Sequence, residues 1–562
     1  MNRAAEPLKL KPNLKKLIAP AIIGLILFLI FQVLPSTSFE STDTPYPQII
    51  SKDEAEQAAS RFARERLGFP AAEGEDPLVT YQSNSELYGY LTKEKKLKEY
   101  NKNYEAKYPY DVYRVRFTLP GGDALNVDVH MQNAGIAGFS YDSARSSYDR
   151  IELNQGDVRK QMLLLVEEGM TLAEKEALAE PWLKWAGYDA TQLQLSTREG
   201  EPKLRYTVTE AAIGDSRLQL EFTFEHGTLR SFEPAFSVPA AHTAYVNKQT
   251  QDATLLTLVG YGLFTLVLGI LAIVYSVKTR AYTSFKRGIL LSVLLFVIQM
   301  LNTYNLVPVF KAQGMSETGI IGMMIFYAIY SLVFSALLYF SLVGGSGLWR
   351  KEDGLNPWPR AKEPGYGRYV LESMKVGYLW ALILLGIQSL IFIALGLTLN
   401  TWSTTDASQS PYNMLYPWLF PLMAWLAGIS EEAVYRLFGI RMVKKIVRST
   451  FVASLITSII WALGHTLYPI YPVVSRPIEL VIIGLLFSYI FLTYGYIAAM
   501  FSHVIFNSIL MGISLVMLQG AANVLIGLFY MVLPAIMAYV IYRLNPTKKE
   551  KPYVTTPHHE AH

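Results

Sequence analysis

The chain contains long apolar segments separated by short basic loops, and this pattern constrains its fold more than any other feature. A helix that crosses about 30 Å of hydrocarbon needs about 20 consecutive, mainly apolar residues. Segments of about this length occur at 17–35, 254–277, 288–310, 319–345, 376–400, 414–440, 451–470, 478–494, 496–517 and 522–542. The sequence therefore predicts a mostly α-helical fold, a polytopic transmembrane bundle of about ten spans.

The composition agrees with a membrane protein and excludes several functions. Hydrophobic residues make up 51% of the chain and charged residues only 17%, against about 25% charged in a typical soluble domain. The net charge of +4 is small for 562 residues, so nothing indicates that the protein binds nucleic acid. The absence of cysteine excludes disulfides, thiolate catalysis and cysteine-ligated metals.

The placement of Lys and Arg predicts the orientation, because basic loops stay on the cytoplasmic side. One side of the bundle receives nearly all the basic loops, and the other receives mainly Lys311, Asp406 and Arg476. We expect a multi-pass protein of a bacterial plasma membrane, with both termini cytoplasmic and residues 36–250 outside. The predicted parts are a basic N-terminus at 1–16, an uncleaved signal anchor at 17–35, helices at 254–310, a membrane core at 319–542 and a tail at 543–562. The uncharged break at 493–496 fits either a turn or a re-entrant segment.

Residues 36–250 contain an internal duplication. Each copy, at about 50–145 and 170–235, opens with a helix that has a capping box, at Ser51–Glu54 and at Thr171–Glu174. Four segments that alternate as strands do follow each helix, and the first copy carries an insert at 84–109. The sequence therefore predicts an extracytoplasmic α+β region built from two repeats. This order of elements resembles the PepSY domains, which are thought to bind or regulate peptidases. The ligand of the repeats is unknown, and a spacer without a ligand fits equally well.

Three charged residues follow an apolar run that is already long enough to enter the bilayer, so their side chains need polar or charged partners there. Glu431, Glu432 and Arg436 come after the apolar run 415–430. An isolated ionised side chain at the centre of a span costs about 2.5–3.5 kcal/mol. Glu432 and Arg436 can pair on one helix face, being four residues apart. Glu431 points about 100° away, so it must face water, a metal or another helix.

Histidine and asparagine occur at three further positions in the apolar segments that follow. His465 and His503 are the only two of the eight histidines that lie in apolar segments, and Asn507 shares a helix face with His503. A single buried histidine is usually a structural residue. Together with Glu431 these residues favour a functional site, because ionisable groups within a membrane are generally functional.

These polar residues resemble the three motifs of the CPBP family, which comprises CAAX prenyl endopeptidases and bacteriocin-processing membrane proteins and is also called the Abi family. The motifs are Glu431-Glu432-Ala-Val-Tyr-Arg436, Trp461-Ala-Leu-Gly-His465 and His503-Val-Ile-Phe-Asn507. The second motif has Trp461 where the family has Phe. The change keeps an aromatic ring, so we expect it to affect only the packing beside His465.

The resemblance implies an intramembrane endopeptidase that cuts a membrane-embedded or membrane-proximal bond in a membrane protein or peptide. It further implies that Glu431 and His465 activate a water, that His503 and Asn507 stabilise the oxyanion, and that Glu432 and Arg436 support them. The residue types also suit zinc, which Glu431, His465 and His503 could hold with an open water position. The sequence does not choose between water activation with and without a metal.

Two other functions remain open at this stage. The first is a non-catalytic membrane scaffold, or a bacteriocin-immunity protein that binds a peptide without cutting it. The second is a transporter whose buried Glu and His side chains relay protons, which would predict inverted repeats around the site. We detect no such symmetry in residues 288–542.

Overall fold

The computed structural model describes residues 2–3, 8, 10–34, 49–68, 77–119, 122–142, 170–225, 227–518 and 520–545. The described part comprises a bundle of apolar helices and a separate antiparallel sheet domain. The first helix, α1 (Lys15–Val33), corresponds to the predicted signal anchor. Its buried residues Ala21 and Phe28 belong to the core of the bundle. The predicted tail after residue 545 and the link between the repeats at 143–169 lie outside the described residues.

In each half of the sheet domain one helix precedes four strands, which is the order of elements that the predicted duplication requires. Its helices are α2 (Lys52–Leu67), α3 (Ser85–Lys93), α4 (Leu97–Asn103) and α5 (Leu172–Trp185). Its strands are β1 (Leu78–Ser83), β2 (Asp111–Thr118), β3 (Ala124–His130), β4 (Ile136–Asp142), β5 (Leu193–Leu195), β6 (Lys203–Ile213), β7 (Ser216–Glu225) and β8 (Thr228–Phe236). Both predicted capping boxes are present, and the predicted insert forms α3 and α4. The resemblance to PepSY domains stays a prediction.

The two repeats join edge to edge into one eight-stranded antiparallel sheet of order β1-β2-β3-β4-β8-β7-β6-β5. Strands β4 and β8 pair at the junction, where Phe139 lies opposite Phe232. Aromatic side chains from both repeats meet there, since the Phe139 and Trp182 rings are 4.8 Å apart. This arrangement leaves β1 and β5 as the two edge strands.

Among the described residues, nine apolar helical segments follow the sheet domain. They are α6 (Ala240–Lys278), α7 (Ile289–Ala312), α8 (Glu317–Asp353), α9 (Tyr366–Leu399), α10 (Leu422–Glu431, continued by a π-helical turn at Glu432–Ile440 and by Arg441–Val447), α11 (Thr450–Leu463), α12 (Ser475–Tyr494), α13 (Tyr496–Met517) and α14 (Ala521–Leu544). At the uncharged break at 493–496, Gly495 alone separates α12 from α13 with φ 90°.

Within the described residues, eight helices are long and apolar enough to cross a membrane, which makes the chain a multi-pass membrane protein. The other two predicted spans correspond to α10, which carries the charged motif, and to α11. Helix α11 has only 14 residues, or about 21 Å at 1.5 Å per residue. The total of ten spans therefore stays a prediction.

The expected extent of the segment 451–470 was wrong, because helix α11 ends at Leu463. Residues 464–467 form a turn, and Pro469 and Pro472 follow it. Proline has no backbone N–H and disfavours a helix before it, which explains why the apolar run does not continue as a helix. His465 therefore lies in the turn that follows α11 and not within the helix.

Candidate intramembrane active site

The predicted pair between Glu432 and Arg436 is present and fully buried. Arg436 Nη1 donates to Glu432 Oε1 at 3.0 Å, and both side chains are 0% exposed. Arg436 Nη2 also donates to the carbonyl of Gly484 at 3.3 Å. The guanidinium lies over the Trp461 and Phe487 rings, at 4.6 and 5.5 Å from their centroids. A buried ion pair needs such additional partners to offset its lost hydration.

The same carboxylate of Glu432 also orients His503. His503 Nδ1 lies 2.9 Å from Glu432 Oε1, and the imidazole stacks on Phe487 with a centroid distance of 4.5 Å. A carboxylate at one ring nitrogen fixes the orientation and the tautomer of the ring. The other nitrogen, Nε2, faces Glu431 Oε2 at 3.9 Å. Glu432 therefore does more than support Arg436, since it aims His503 at Glu431.

Glu431 differs from its neighbour in exposure and in partners. Its side chain is 24% exposed, whereas that of Glu432 is fully buried. Trp461 Nε1 donates a hydrogen bond to Glu431 Oε2. The expectation that Trp461 affects only packing was therefore incomplete, because the indole N–H supplies a donor that a phenylalanine lacks. One carboxylate is thus enclosed in a network, and the other is open on one side.

A π-helical turn at Glu432–Ile440 begins directly after Glu431 and carries the rest of the first motif. π turns are rare and are found often at functional sites. The Leu437 carbonyl in this turn accepts a hydrogen bond from Trp349 Nε1 of α8 at 2.8 Å. Gly345 of α8 also lies against Leu437, since a Cβ there would be 2.9 Å from the Leu437 carbonyl oxygen. The π turn was not predicted from the sequence.

His465 has fewer polar contacts than His503. Its Nδ1 donates to the Trp461 carbonyl at 3.0 Å, because a carbonyl can only accept. The second ring nitrogen, Nε2, takes no part in this hydrogen bond. The imidazole stacks on Tyr468 with a centroid distance of 5.8 Å and an interplanar angle of 15°. Trp461 therefore touches both His465 and Glu431.

Asn507 lies one helical turn after His503 on α13, as predicted from the spacing. The side chain is half-buried. None of the described residues hydrogen-bonds to its amide, so the amide is free for a ligand.

The candidate zinc ligands do not fit a metal ion in this arrangement. Across the described ranges, no group of three or more His, Asp or Glu side chains is placed to hold a metal. Glu431, His465 and His503 are therefore not arranged as a ligand set.

Phe487 was not among the predicted site residues. This residue packs against both Arg436 and His503, but it is one apolar residue among many in α12. The structure connects Glu431, Glu432, Arg436, Trp461 and His503 into one network, with His465 attached through Trp461 and Asn507 beside His503.

The comparison with known protein families agrees with this site. Residues 413–509, which carry all three motifs, match the family described as type II CAAX prenyl endopeptidase, Rce1-like. No curated protein and no solved structure matches the chain significantly. The match covers the site but less than half of the chain, and it supports the CPBP family and, at the level of the family, a membrane-embedded protease.

Proposed function

We propose that this protein is an intramembrane endopeptidase in which Glu431 activates the water that hydrolyses a membrane-embedded or membrane-proximal peptide bond. The observation that best supports the proposal is the partly exposed carboxylate of Glu431. Trp461 holds its Oε2 atom, and His503 Nε2 faces the same atom at 3.9 Å. A partly exposed carboxylate among membrane helices is expensive and is generally functional.

The two oxygens of Glu431 suit different tasks. Oε2 accepts from Trp461, whereas Oε1 accepts no hydrogen bond from any residue that the structure describes. Oε1 takes a proton from the water as the water oxygen bonds to the carbonyl carbon and the carbonyl electrons move onto oxygen. When the intermediate collapses, the C–N bond breaks, and the proton held by Glu431 passes to the departing amine.

His503 and Asn507 are assigned to the oxyanion. Donors that are already oriented stabilise such a charge strongly in a site of low dielectric. Because Glu432 accepts a hydrogen bond from Nδ1 of His503, Nδ1 carries a proton. His503 can then also donate from Nε2 only when both ring nitrogens carry protons. The free Asn507 amide supplies the second donor.

His465 is assigned to the water together with Glu431. Its Nδ1 donates to the Trp461 carbonyl, so Nε2 is the nitrogen that can accept a hydrogen bond from the second O–H of the water, which keeps that proton. We assign no step to zinc, because no three His, Asp or Glu side chains among the described residues are placed to hold a metal. The proposed location is a bacterial plasma membrane with the sheet domain outside, and the proposed substrate is a membrane protein or peptide.

The test uses the purified protein in lipid with a library of membrane-anchored, quenched peptides. We expect cleavage by the wild type and a loss of about 10²–10⁴-fold in Glu431→Gln, the usual contribution of a general base. Glu372→Gln is the matched control, because Glu372 pairs with Lys375 on α9 and takes no part in the site. A zinc chelator should leave the rate unchanged.

Two results would count against the proposal. Equal cleavage by the wild type and Glu431→Gln would remove Glu431 from the reaction. Folded wild-type protein that cleaves no peptide would favour the scaffold or bacteriocin-immunity function.

A further inference from the structure

The turn that carries His465 is anchored by a helix outside the three motifs. We call residues 464–468 the His465 turn. Thr466, beside the histidine, is 2% exposed. Its hydroxyl donates to the Ala253 carbonyl at 2.9 Å and lies 2.8 Å from the Thr257 hydroxyl. Both partners belong to α6, so a buried polar contact fixes the turn to that helix.

Helix α6 connects the turn directly to the sheet domain. Strand β8 ends at Phe236 and α6 begins at Ala240, so only three residues separate the sheet from the helix. Gln249 of α6 also accepts a hydrogen bond from the Val473 backbone at 2.7 Å, just after the turn. A displacement of the domain would therefore move the helix that holds Thr466.

A second connection runs through the segment between α9 and α10, residues 400–418, which we call the docking loop. Asn413 bonds to the edge strand β1 much as a neighbouring strand would. Its Oδ1 accepts from Tyr81 N at 2.7 Å, and its Nδ2 donates to Tyr81 O at 2.8 Å. Asn413 is 3% exposed. The contact covers an edge whose backbone groups would otherwise be open.

The docking loop is also bonded to the residues that follow the His465 turn. Thr404 donates through its backbone to the Pro469 carbonyl at 3.0 Å and through its hydroxyl to the Ser85 carbonyl at 2.6 Å. Trp402 pairs with Tyr471, and their rings stack at 4.5 Å. The docking loop thus contacts the sheet domain on one side and the residues that follow the His465 turn on the other.

We propose that the sheet domain holds His465 in position through these two connections, with Thr466 and Asn413 as positioning residues. The domain then acts on the rate of the chemical step and not on the capture of substrate. The consequence for activity rests on the proposed peptidase function, whereas the mechanical link does not.

The mechanical link can be tested without measuring activity. The chain has no cysteine, so Leu467→Cys, at a position that is 56% exposed on the turn, carries the only spin label. Thr466→Val removes the hydroxyl and Asn413→Ala removes the contact with β1. We expect the label to become more mobile in both, by electron paramagnetic resonance of the full chain in lipid.

Matched controls separate loss of the contact from damage to the fold. Thr466→Ser keeps the hydroxyl, and Gln409→Ala changes an exposed residue of the same docking loop. Both should retain the wild-type label mobility. Label mobility that stays at the wild-type value in both Thr466→Val and Asn413→Ala would overturn the proposal, whatever the protein's activity.

Activity provides the second readout. Misplacing a catalytic group by about 1 Å can cost about a hundredfold in rate, so we expect kcat to fall about tenfold to a hundredfold in Thr466→Val and Asn413→Ala. KM should stay unchanged, and Thr466→Ser should restore kcat. A rise in kcat would make the domain an inhibitor, and a change in KM alone would make it a recruiting module; either result would contradict positioning. If the wild type cleaves nothing, the proposed function fails while the label still tests the link.

Discussion

Two adjacent carboxylates at the centre of the site have different environments and different tasks. Glu432 is fully buried and serves Arg436 and His503 at once. Glu431 is partly exposed and is held through one oxygen by Trp461. Because consecutive residues point about 100° apart on a helix, the two side chains face different surroundings, and His503 lies between them with Nδ1 at Glu432 and Nε2 toward Glu431. The buried carboxylate therefore sets the geometry, and the open one is available for chemistry.

Replacing Trp461 by phenylalanine should slow the reaction without preventing folding. Trp461→Phe keeps the aromatic ring beside Arg436 and removes the donor to Glu431. Hydrogen bonds to charged groups contribute about 1.5–3 kcal/mol, so we expect kcat to fall about tenfold to a hundredfold with KM unchanged. Steady-state kinetics in lipid measure this effect.

Trp425→Phe is the matched control for this substitution. The Trp425 indole nitrogen is buried and has no hydrogen-bond partner among the described residues, so its loss should leave kcat unchanged. If Trp461→Phe behaves like Trp425→Phe, the hydrogen bond has no role in the reaction.

Residue spacing predicted only part of this network. The bond between Glu432 and Arg436 follows from their separation of four positions, and the sequence also left Glu431 without a local partner. The bonds from Trp461 to Glu431 and from His503 to Glu432 join residues 30 and 71 positions apart. Such contacts depend on how α10, α11 and α13 pack together, and no local rule of sequence supplies that packing.

At the scale of elements, the π turn of α10 depends on close packing against α8. Trp349 Nε1 donates to the Leu437 carbonyl at 2.8 Å. A Cβ at Gly345 would lie 2.9 Å from the same carbonyl oxygen and 2.9 Å from Leu437 Cγ. Glycine at this position lets the two helices approach closely enough for the Trp349 bond, as small residues do between membrane helices.

Gly345→Ala should therefore separate α8 from the π turn. Overpacking of this kind costs about 1–3 kcal/mol, so we expect a lower midpoint of thermal unfolding and a lower kcat. Gly322→Ala on the same helix is the control, because nothing lies within 4 Å of a Cβ there. Alanine favours a helix over glycine by about 1 kcal/mol, so Gly322→Ala should unfold at the same temperature or higher. Equal unfolding midpoints for the two variants would refute the close-packing argument.

The elements themselves were largely predictable, and their ends less so. Both capping boxes predicted the helices α2 and α5 at their correct first turns. The apolar run 451–470 instead suggested a full span, and the helix stops at Leu463. Hydropathy measures whether residues prefer lipid, but it does not register that the prolines at 469 and 472 and the contacts of Thr466 favour a turn.

At the scale of the whole molecule, the sheet domain and the bundle are joined close to the site. Asn413 and Tyr81 form their two hydrogen bonds across 332 positions of sequence. The sequence predicted both parts and the duplication, because each arises from local patterns. It could not predict the joint between the parts, which rests on single polar side chains. The orientation of the bundle in the membrane stays a prediction from the basic loops.

The most direct test of the roles of the two carboxylates compares Glu431→Gln with Glu432→Gln in lipid, by cleavage rate and by thermal unfolding. Glu431 is partly exposed, so Glu431→Gln should unfold at the wild-type temperature while kcat falls about 10²–10⁴-fold. Glu432→Gln leaves Arg436 buried without its counter-charge, a loss that costs about 3–5 kcal/mol, so it should lower the unfolding midpoint as well as kcat. A Glu431→Gln variant that cleaves at the wild-type rate, or that unfolds as early as Glu432→Gln, would contradict the division of tasks between the two carboxylates.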